Sequence, residues 1–296
     1  MTNDPFDLDL FFGELTGTRT LVYARCIPAG NREGLTLVGE IRGPFCRHAA
    51  TLPLRVPLVD CGPGETILAK ATLTEACFWS PDLPAIYEAH ISLLRGQEVI
   101  ATAQRQIGLR WLGCREGSFV WQGKRWVLRG VSAGSSEENA PRQWQEAAAC
   151  LVTREPADEQ LAEASRDGAL TVVDWSAHEN VTGAQLRHIA GFPAVAVVVL
   201  AEGSLADESA LRAVPNLILA QSLVPGHHHA VMPWAKVFWA CAQNPQALAQ
   251  FAATADLPIV AVRTLQSPVP LGDARSACDN LQRDLAPLGQ FAGYVV

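Results

Sequence analysis

Eight short apolar runs recur through the second part of the chain, and they constrain its fold more than any other feature. Each has the length of a buried strand: residues 126–132, 148–153, 169–175, 194–201, 216–223, 237–241, 258–263 and 291–296. Helical patterns lie between most of them, at residues 142–149, 158–166, 183–190, 207–214, 245–255 and 273–285. Because strands that alternate with helices favour a parallel sheet, eight of them predict a closed (β/α)8 barrel.

The predicted barrel is compact. At about 170 residues it is shorter than the ~250 residues that such barrels usually need, so its loops must be short. The connection between the fifth and sixth runs, residues 225–234, reads PGHHHAVMPW. It has no helical periodicity, and we expect a loop there in place of a helix.

The chain up to residue 110 has a different pattern. Short segments that alternate or are rich in β-branched residues are separated by Gly, Pro or Asp turns, at residues 20–27, 35–41, 52–59, 66–74, 86–94 and 98–107. Six or seven such strands predict a β-sandwich. A chain of 296 residues fits two domains better than one, and we expect them at residues 1–110 and 111–296.

Charge and hydropathy exclude several classes of function. The net charge of −7 argues against a phosphate-binding surface, so nucleic acid is not an expected partner. The first ten residues lack the basic and apolar regions of a signal peptide. No apolar run approaches the roughly 18 residues that a membrane span needs. We therefore expect a cytoplasmic protein that does not bind membranes.

Neither the cysteines nor the histidines form a recognisable metal site. The eight cysteines are scattered without a C-x-x-C pair, which favours reduced core thiols over disulfides or a zinc cluster. His227, His228 and His229 are consecutive, so they cannot all face one ion, and we assign them to a solvated loop. No metal and no cofactor are expected.

Three short segments occur in a fixed order near the middle of the chain. They are residues 78–87 (FWSPDLPAIY), 107–110 (IGLR) and 123–131 (GKRWVLRGV). Together they resemble family 2 glycoside hydrolases, the family of β-galactosidases and β-glucuronidases. There the first segment closes an immunoglobulin-like sandwich, the second ends it, and the third opens the catalytic barrel. The resemblance implies an immunoglobulin-like β-sandwich followed by a compact (β/α)8 barrel.

The same resemblance locates the expected catalytic residues, and this chain departs from them. Family 2 enzymes carry one glutamate at the end of barrel strand four and another at the end of strand seven. Here Gly203 stands at the position of the family's acid/base, and Glu202 comes one position earlier. Arg263 stands at the position of the nucleophile. Arginine stays protonated and offers no nucleophile. The family's hydrolytic mechanism is therefore not supported, which predicts a pseudoenzyme.

Other expected active-site positions depart as well. The first barrel strand lacks the family's Asn and His after R-G-V, and the second lacks its arginine unless Arg154 substitutes for it. By contrast, residues 161–174 still match the family's helix and third strand. The residues that persist are mainly those that pack.

Three carboxylates remain at predicted strand ends, where barrel active sites lie: Glu155, Asp174 and Glu202. In one interpretation they cap helices or pair with Arg154 and Arg263. In the other, Asp174 and Glu202 on neighbouring strands form a substitute acid/base pair.

Tryptophans near the strand ends have two interpretations. Trp175 directly follows a strand end and either stacks on a sugar ring or belongs to the core, whereas we assign Trp234 to the core.

Three functions follow from these residues. The first is a pseudoenzyme that binds a carbohydrate or a protein at the barrel mouth, where Arg154, Arg263, Glu155 and Trp175 would contact the ligand. The two arginines would suit an anionic sugar or a carboxylate. The second is an active glycosidase that uses the displaced carboxylates Asp174 and Glu202. The third is an assembly protein whose barrel mouth is filled by side chains.

Overall fold

The computed structural model describes residues 6–27, 30–132, 140–205, 211, 214–265, 267 and 269–296. The chain divides into two compact units. The first comprises residues 1–110, 187–193 and 212–216, and the second comprises residues 111–186, 194–211 and 217–296. The division into two domains at residue 110 stays a prediction.

The first unit contains an antiparallel β-sandwich. Its strands are β1 (Leu8–Leu15), β2 (Arg19–Cys26), β3 (Leu35–Phe45), β4 (Leu54–Asp60), β5 (Ile67–Thr74), β6 (Ile86–Arg95) and β7 (Glu98–Ile107). They pair in the order β1-β2-β5-β4-β3-β6-β7, with β4 joining the two layers. This is the strand order of an immunoglobulin-like sandwich, A-B-E-D beside C-F-G, and it confirms the predicted fold class.

The core of the sandwich follows from the period of two along each strand. In β5 the side chains of Ile67, Ala69, Ala71 and Leu73 are buried, whereas those between them are half-buried or exposed. They pack into one apolar cluster with residues from both layers. His90 of β6 is half-buried, with Glu40 and Gln104 as its neighbours on adjacent strands.

Gly108 and Arg110, in the second of the three family-like segments, have packing roles in the first unit. A Cβ atom at Gly108 would lie 2.6 Å from Cβ of Pro193 and 3.0 Å from Cδ1 of Trp79, so only glycine fits. The Arg110 side chain is buried, and its guanidinium donates to the carbonyl oxygens of Pro193 and Asn216. Burial lowers the pKa of Arg110 to about 10, so the group remains charged at neutral pH.

We expect Arg110→Met to lower the free energy of unfolding by about 2 to 4 kcal/mol, because a buried and a partly buried carbonyl oxygen lose their donor. Urea unfolding measures this. The control is Arg55→Met, which breaks an ion pair to Glu40 from a side chain that is 65% exposed. The control should change stability by less than about 0.5 kcal/mol. Equal midpoints for both variants would contradict the role of Arg110.

The second unit opens with a small antiparallel sheet and then forms a closed barrel. The small sheet, which the sequence did not predict, contains β8 (Leu112–Arg115), β9 (Ser118–Trp121) and β10 (Lys124–Trp126). The barrel strands are β11 (Leu128–Ser132), β12 (Cys150–Thr153), β13 (Thr171–Trp175), β14 (Val195–Leu200), β15 (Ile218–Leu223), β16 (Val237–Cys241), β17 (Ile259–Val262) and β18 (Gly293–Val295). Each pairs in parallel with the next, and β18 pairs with β11, which confirms the predicted barrel.

Five of the predicted helices are present in the described residues. They are α1 (Pro141–Glu146), α2 (Asp158–Asp167), α3 (Gly183–Ala190), α4 (Pro245–Ala252) and α5 (Ala274–Leu285). The helix expected at residues 207–214 lies largely outside the described residues. The segment 225–234 is a loop, as predicted. Among the helices of the described ranges, none is both long and apolar enough to cross a membrane.

All eight cysteines are free. Cys26, Cys150 and Cys278 are buried, and four more are half-buried. Burial raises the pKa of the Cys150 thiol to about 12, which keeps it protonated and unreactive. Cys61 is exposed, so the expectation of core thiols is wrong for that residue.

Arg129, in the R-G-V segment of β11, forms hydrogen bonds to two side chains of α5. Its Nε donates to Asp279 at 2.6 Å and its Nη2 to Gln282 at 2.8 Å. Burial raises the pKa of Asp279, but the hydrogen bonds and charges of Arg129 and Arg275 outweigh it and hold that pKa below its ordinary value of 3.8. The ion pair therefore stabilises the fold at neutral pH.

This ion pair makes the free energy of unfolding depend on pH. Because the folded pKa of Asp279 is depressed, its contribution is complete above 3.8 and is lost as the pH falls through the lower, folded value. We expect Asp279→Asn to lose less stability than the wild type between about pH 5 and about pH 3. Gln282→Met, which removes the uncharged partner of Arg129, should lower stability equally across that range. Thermal unfolding at each pH tests both, and parallel curves for Asp279→Asn and the wild type would contradict the prediction.

Candidate ligand-binding site

An open cavity of about 690 Å³ lies in the second unit, where the barrel strands end. Ser132 of β11, Asp174 of β13, Ser222 of β15 and Trp239 of β16 all contribute to its wall. Its volume is within the range of small-molecule sites. The barrel mouth is therefore concave, which disfavours the interpretation in which side chains fill it.

On β13 and β16, adjacent residues differ in whether they line this cavity. On β16, Trp239 lines the cavity, while the neighbouring Phe238 packs against Phe251 of α4 with ring centroids 5.1 Å apart. On β13, Asp174 lines the cavity. Trp175 is buried, its ring meets the edge of His178, and it is not among the described residues that line the cavity.

Three of the predicted site residues come together in the cavity: Arg154, Glu155 and Asp174. Asp174 Oδ1 accepts a hydrogen bond from the Ser176 backbone N–H at 3.1 Å. Its Oδ2 lies 3.8 Å from Nε of Arg154, which is an ion pair but too long for a hydrogen bond. The Asp174 side chain is 14% exposed and that of Arg154 is 76% exposed, so the carboxylate sits deeper than the guanidinium.

Glu202 points to a different part of the barrel end. Its Oε1 accepts from the Ala230 backbone N–H at 3.4 Å, and its Oε2 lies 3.5 Å from Nδ1 of His229. Glu202 is not among the described residues that line the cavity. In the described lining of this cavity, Asp174 is therefore not joined by Glu202.

Arg263 is also not among the described residues that line the cavity. Its Nη1 donates to Oδ2 of Asp284 on α5 at 2.7 Å. The residues on either side of it, Val262 and Thr264, line the cavity instead. Of the two arginines predicted to bind a ligand, only Arg154 reaches the cavity.

A buried glutamine holds the loop that replaces a helix between β15 and β16. Gln221 is fully buried, its Nε2 donates to Ala230 O at 2.7 Å, and its Oε1 accepts from Met232 N–H at 3.0 Å. His229 lies close to the backbone of Val224, with its Nε2 3.0 Å from the carbonyl oxygen. The loop is therefore attached to the barrel by specific hydrogen bonds.

Sequence reasoning missed Gln221 and Trp239. Trp239 could have been found by assuming that alternate residues of a barrel strand face inward. Gln221 gave no such signal, because its partners are backbone groups of a loop without a sequence pattern. No group of three or more His, Cys, Asp or Glu side chains able to hold a metal occurs in the described part of the chain.

The fold resembles that of several solved glycosidases. A β-glucuronidase from Bacteroides uniformis matches 97% of this chain and 45% of its own, with 11% identity and a TM-score of 0.60. A putative β-galactosidase from Bacteroides fragilis matches 97% and 54%, with 13% identity and a TM-score of 0.61. A glycosyl hydrolase family 2 member from Bacteroides cellulosilyticus matches 98% and 43%, with 14% identity and a TM-score of 0.61.

These likenesses establish the fold and not the activity. The chain spans about half the length of the structures it matches. No protein-family model matches the sequence, and no curated protein is significantly similar to it. The resemblance to family 2 glycoside hydrolases is thus confirmed as a shared sandwich-and-barrel fold.

We expect Gln221→Leu to loosen the loop 224–236, because two backbone groups lose their partners at a cost of about 1 to 3 kcal/mol each. Hydrogen exchange at Ala230 and Met232 should accelerate. The control is Gln243→Leu, whose amide makes an exposed hydrogen bond to Thr264 O. Unchanged exchange in Gln221→Leu would show that the loop is held by other contacts.

Proposed function

We propose that this protein is a non-hydrolysing protein of the family 2 glycoside hydrolase fold that binds a carbohydrate at the barrel mouth. The observation that carries the proposal is the end of β17. The position of the family's nucleophile is Arg263, which is paired with Asp284, while Val262 and Thr264 face the cavity. The strand that should supply a nucleophile contributes an aliphatic group and a hydroxyl.

Glycoside hydrolysis usually needs two carboxyl groups on either side of the scissile bond. In this cavity Asp174 is the half-buried carboxylate, and the other carboxylate of the lining, Glu155, is exposed on the neighbouring strand end. Glu202, the nearest equivalent of the family's acid/base, contacts the loop at Ala230 and His229. This distribution supports binding without hydrolysis.

The lining suits a carbohydrate. It combines hydroxyl groups with one aromatic ring, and the hydroxyls belong to Ser132, Thr153, Ser176, Ser222, Thr264 and Ser267. Hydroxyls donate and accept hydrogen bonds to sugar hydroxyls, and Trp239, which is 5% exposed, forms an apolar part of the wall. A concave site of mixed character is what a polar ligand with apolar ring faces needs.

A protein partner at the same mouth is a second candidate. Val224 and Leu265 line the cavity, yet they are 47% and 43% exposed. Exposed apolar side chains around a concavity are typical of interaction surfaces.

We also propose a cytoplasmic location, because eight free cysteines suit a reducing compartment. The net charge of −7 supports partners other than nucleic acid.

The test of hydrolysis is a panel of aryl β-glycosides, including a β-glucuronide. We expect no turnover above the buffer blank from the wild type or from Glu202→Gln and Asp174→Asn. Turnover by the wild type that either variant abolishes would instead identify an active glycosidase with displaced carboxylates Asp174 and Glu202.

The test of binding is calorimetry with the matching methyl glycosides. Ser222→Phe fills the cavity, and we expect it to weaken binding at least about tenfold. Ser276→Phe, on the exposed face of α5, is the control and should bind like the wild type. Failure of every glycoside to bind the folded wild type would favour the protein partner.

A further inference from the structure

The cavity at the barrel mouth has an excess of negative charge. The charged residues in its described lining are Arg154, Glu155 and Asp174, which are one cation and two anions. An excess of one sign of charge in a concave site favours ligands of the opposite sign.

The placement of these groups strengthens the imbalance. Arg154 and Glu155 are both exposed, so solvent screens their charges, whereas the Asp174 carboxylate is largely enclosed. Asp174 Oδ1 is engaged by the Ser176 N–H, but Oδ2 has its nearest charged partner 3.8 Å away at Arg154 Nε. Among the described residues no group donates a hydrogen bond to Oδ2, so this oxygen can accept one from a ligand.

The other arginine at this end of the barrel cannot balance the carboxylates. Arg263 donates to Asp284 at 2.7 Å and does not contribute to the described lining. A ligand carboxylate would meet Asp174 and Glu155 with only the exposed Arg154 to offset them. The site is therefore poorly suited to a uronic acid.

We infer that the ligand of this cavity is an amine-bearing sugar, whose ammonium group pairs with Asp174 while its hydroxyls bind the serine and threonine hydroxyls of the wall. The inference rests on the proposed carbohydrate-binding function and specifies the chemistry of the ligand. It reverses the expectation that Arg154 and Arg263 select an anionic sugar.

The experiment compares three ligands that share one ring: methyl β-glucosaminide with a free amine, methyl β-glucoside and methyl β-glucuronide. Calorimetry is performed at a pH at which the amine is protonated. We expect the glucosaminide to bind about tenfold more tightly than the glucoside, and the glucuronide to bind most weakly. The preference should shrink as salt is added, because salt screens the exposed part of the interaction.

Two variants separate the role of Asp174 from a general charge effect. Asp174→Asn should remove the preference for the glucosaminide while the glucoside still binds. Asp284→Asn removes a carboxylate outside the described cavity lining and should leave the preference intact. A preference that survives in Asp174→Asn would overturn the inference.

The outcomes distinguish the inference from the function on which it rests. A glucuronide that binds as tightly as the glucosaminide, or more tightly, would overturn the inference and leave carbohydrate binding in place. Absence of binding by all three glycosides, in a folded sample, would overturn both.

Discussion

The pairing of β18 with β11 closes the barrel, and the position of every residue in the cavity depends on it. The Ser132 N–H donates to Val296 O at 2.8 Å, and the Val296 N–H donates to Gly130 O at 3.1 Å. The strands approach so closely that a Cβ atom at Gly293 would lie 2.8 Å from Cβ of Leu128. Closure brings the carboxyl ends of the strands around one axis, which is why side chains distant in sequence share one wall.

Within the closed barrel, adjacent residues of a strand can differ in whether they line the cavity or pack elsewhere. On β13 and β16, one of two neighbouring residues lines the cavity and the other packs elsewhere. Asp174 and Trp175 illustrate this on β13, and Trp239 and Phe238 on β16. A change of one position in register therefore exchanges a cavity group for a packing group, while the fold is preserved.

The architecture could be predicted from the sequence because its signals are local. Apolar runs of strand length mark the barrel strands, and the three family-like segments contain residues with steric or hydrogen-bonding roles. Gly108 is required by its contact with Trp79 in the first unit, and Arg129 joins β11 to α5 in the second. Tyr87 adds another such role, since its hydroxyl accepts from the Cys77 N–H.

The site was harder to predict because it depends on orientation, which residue type does not reveal. Arg154, Glu155 and Asp174 were found from their positions at strand ends, and they do share the cavity. Glu202 was placed by the same rule, yet its carboxylate interacts with the loop after β15. Trp239 was overlooked because a tryptophan inside an apolar run looks like core.

The loop between β15 and β16 has a consequence for how this barrel can vary. Its attachment lies at Ala230 and Met232, where Gln221 binds both backbone groups. The exposed residues 226–228 lie between the end of β15 and these hydrogen bonds. Insertions or deletions at residues 226–228 therefore leave the start of β16 in place. Evolution or engineering can add a new element there without disturbing the strands.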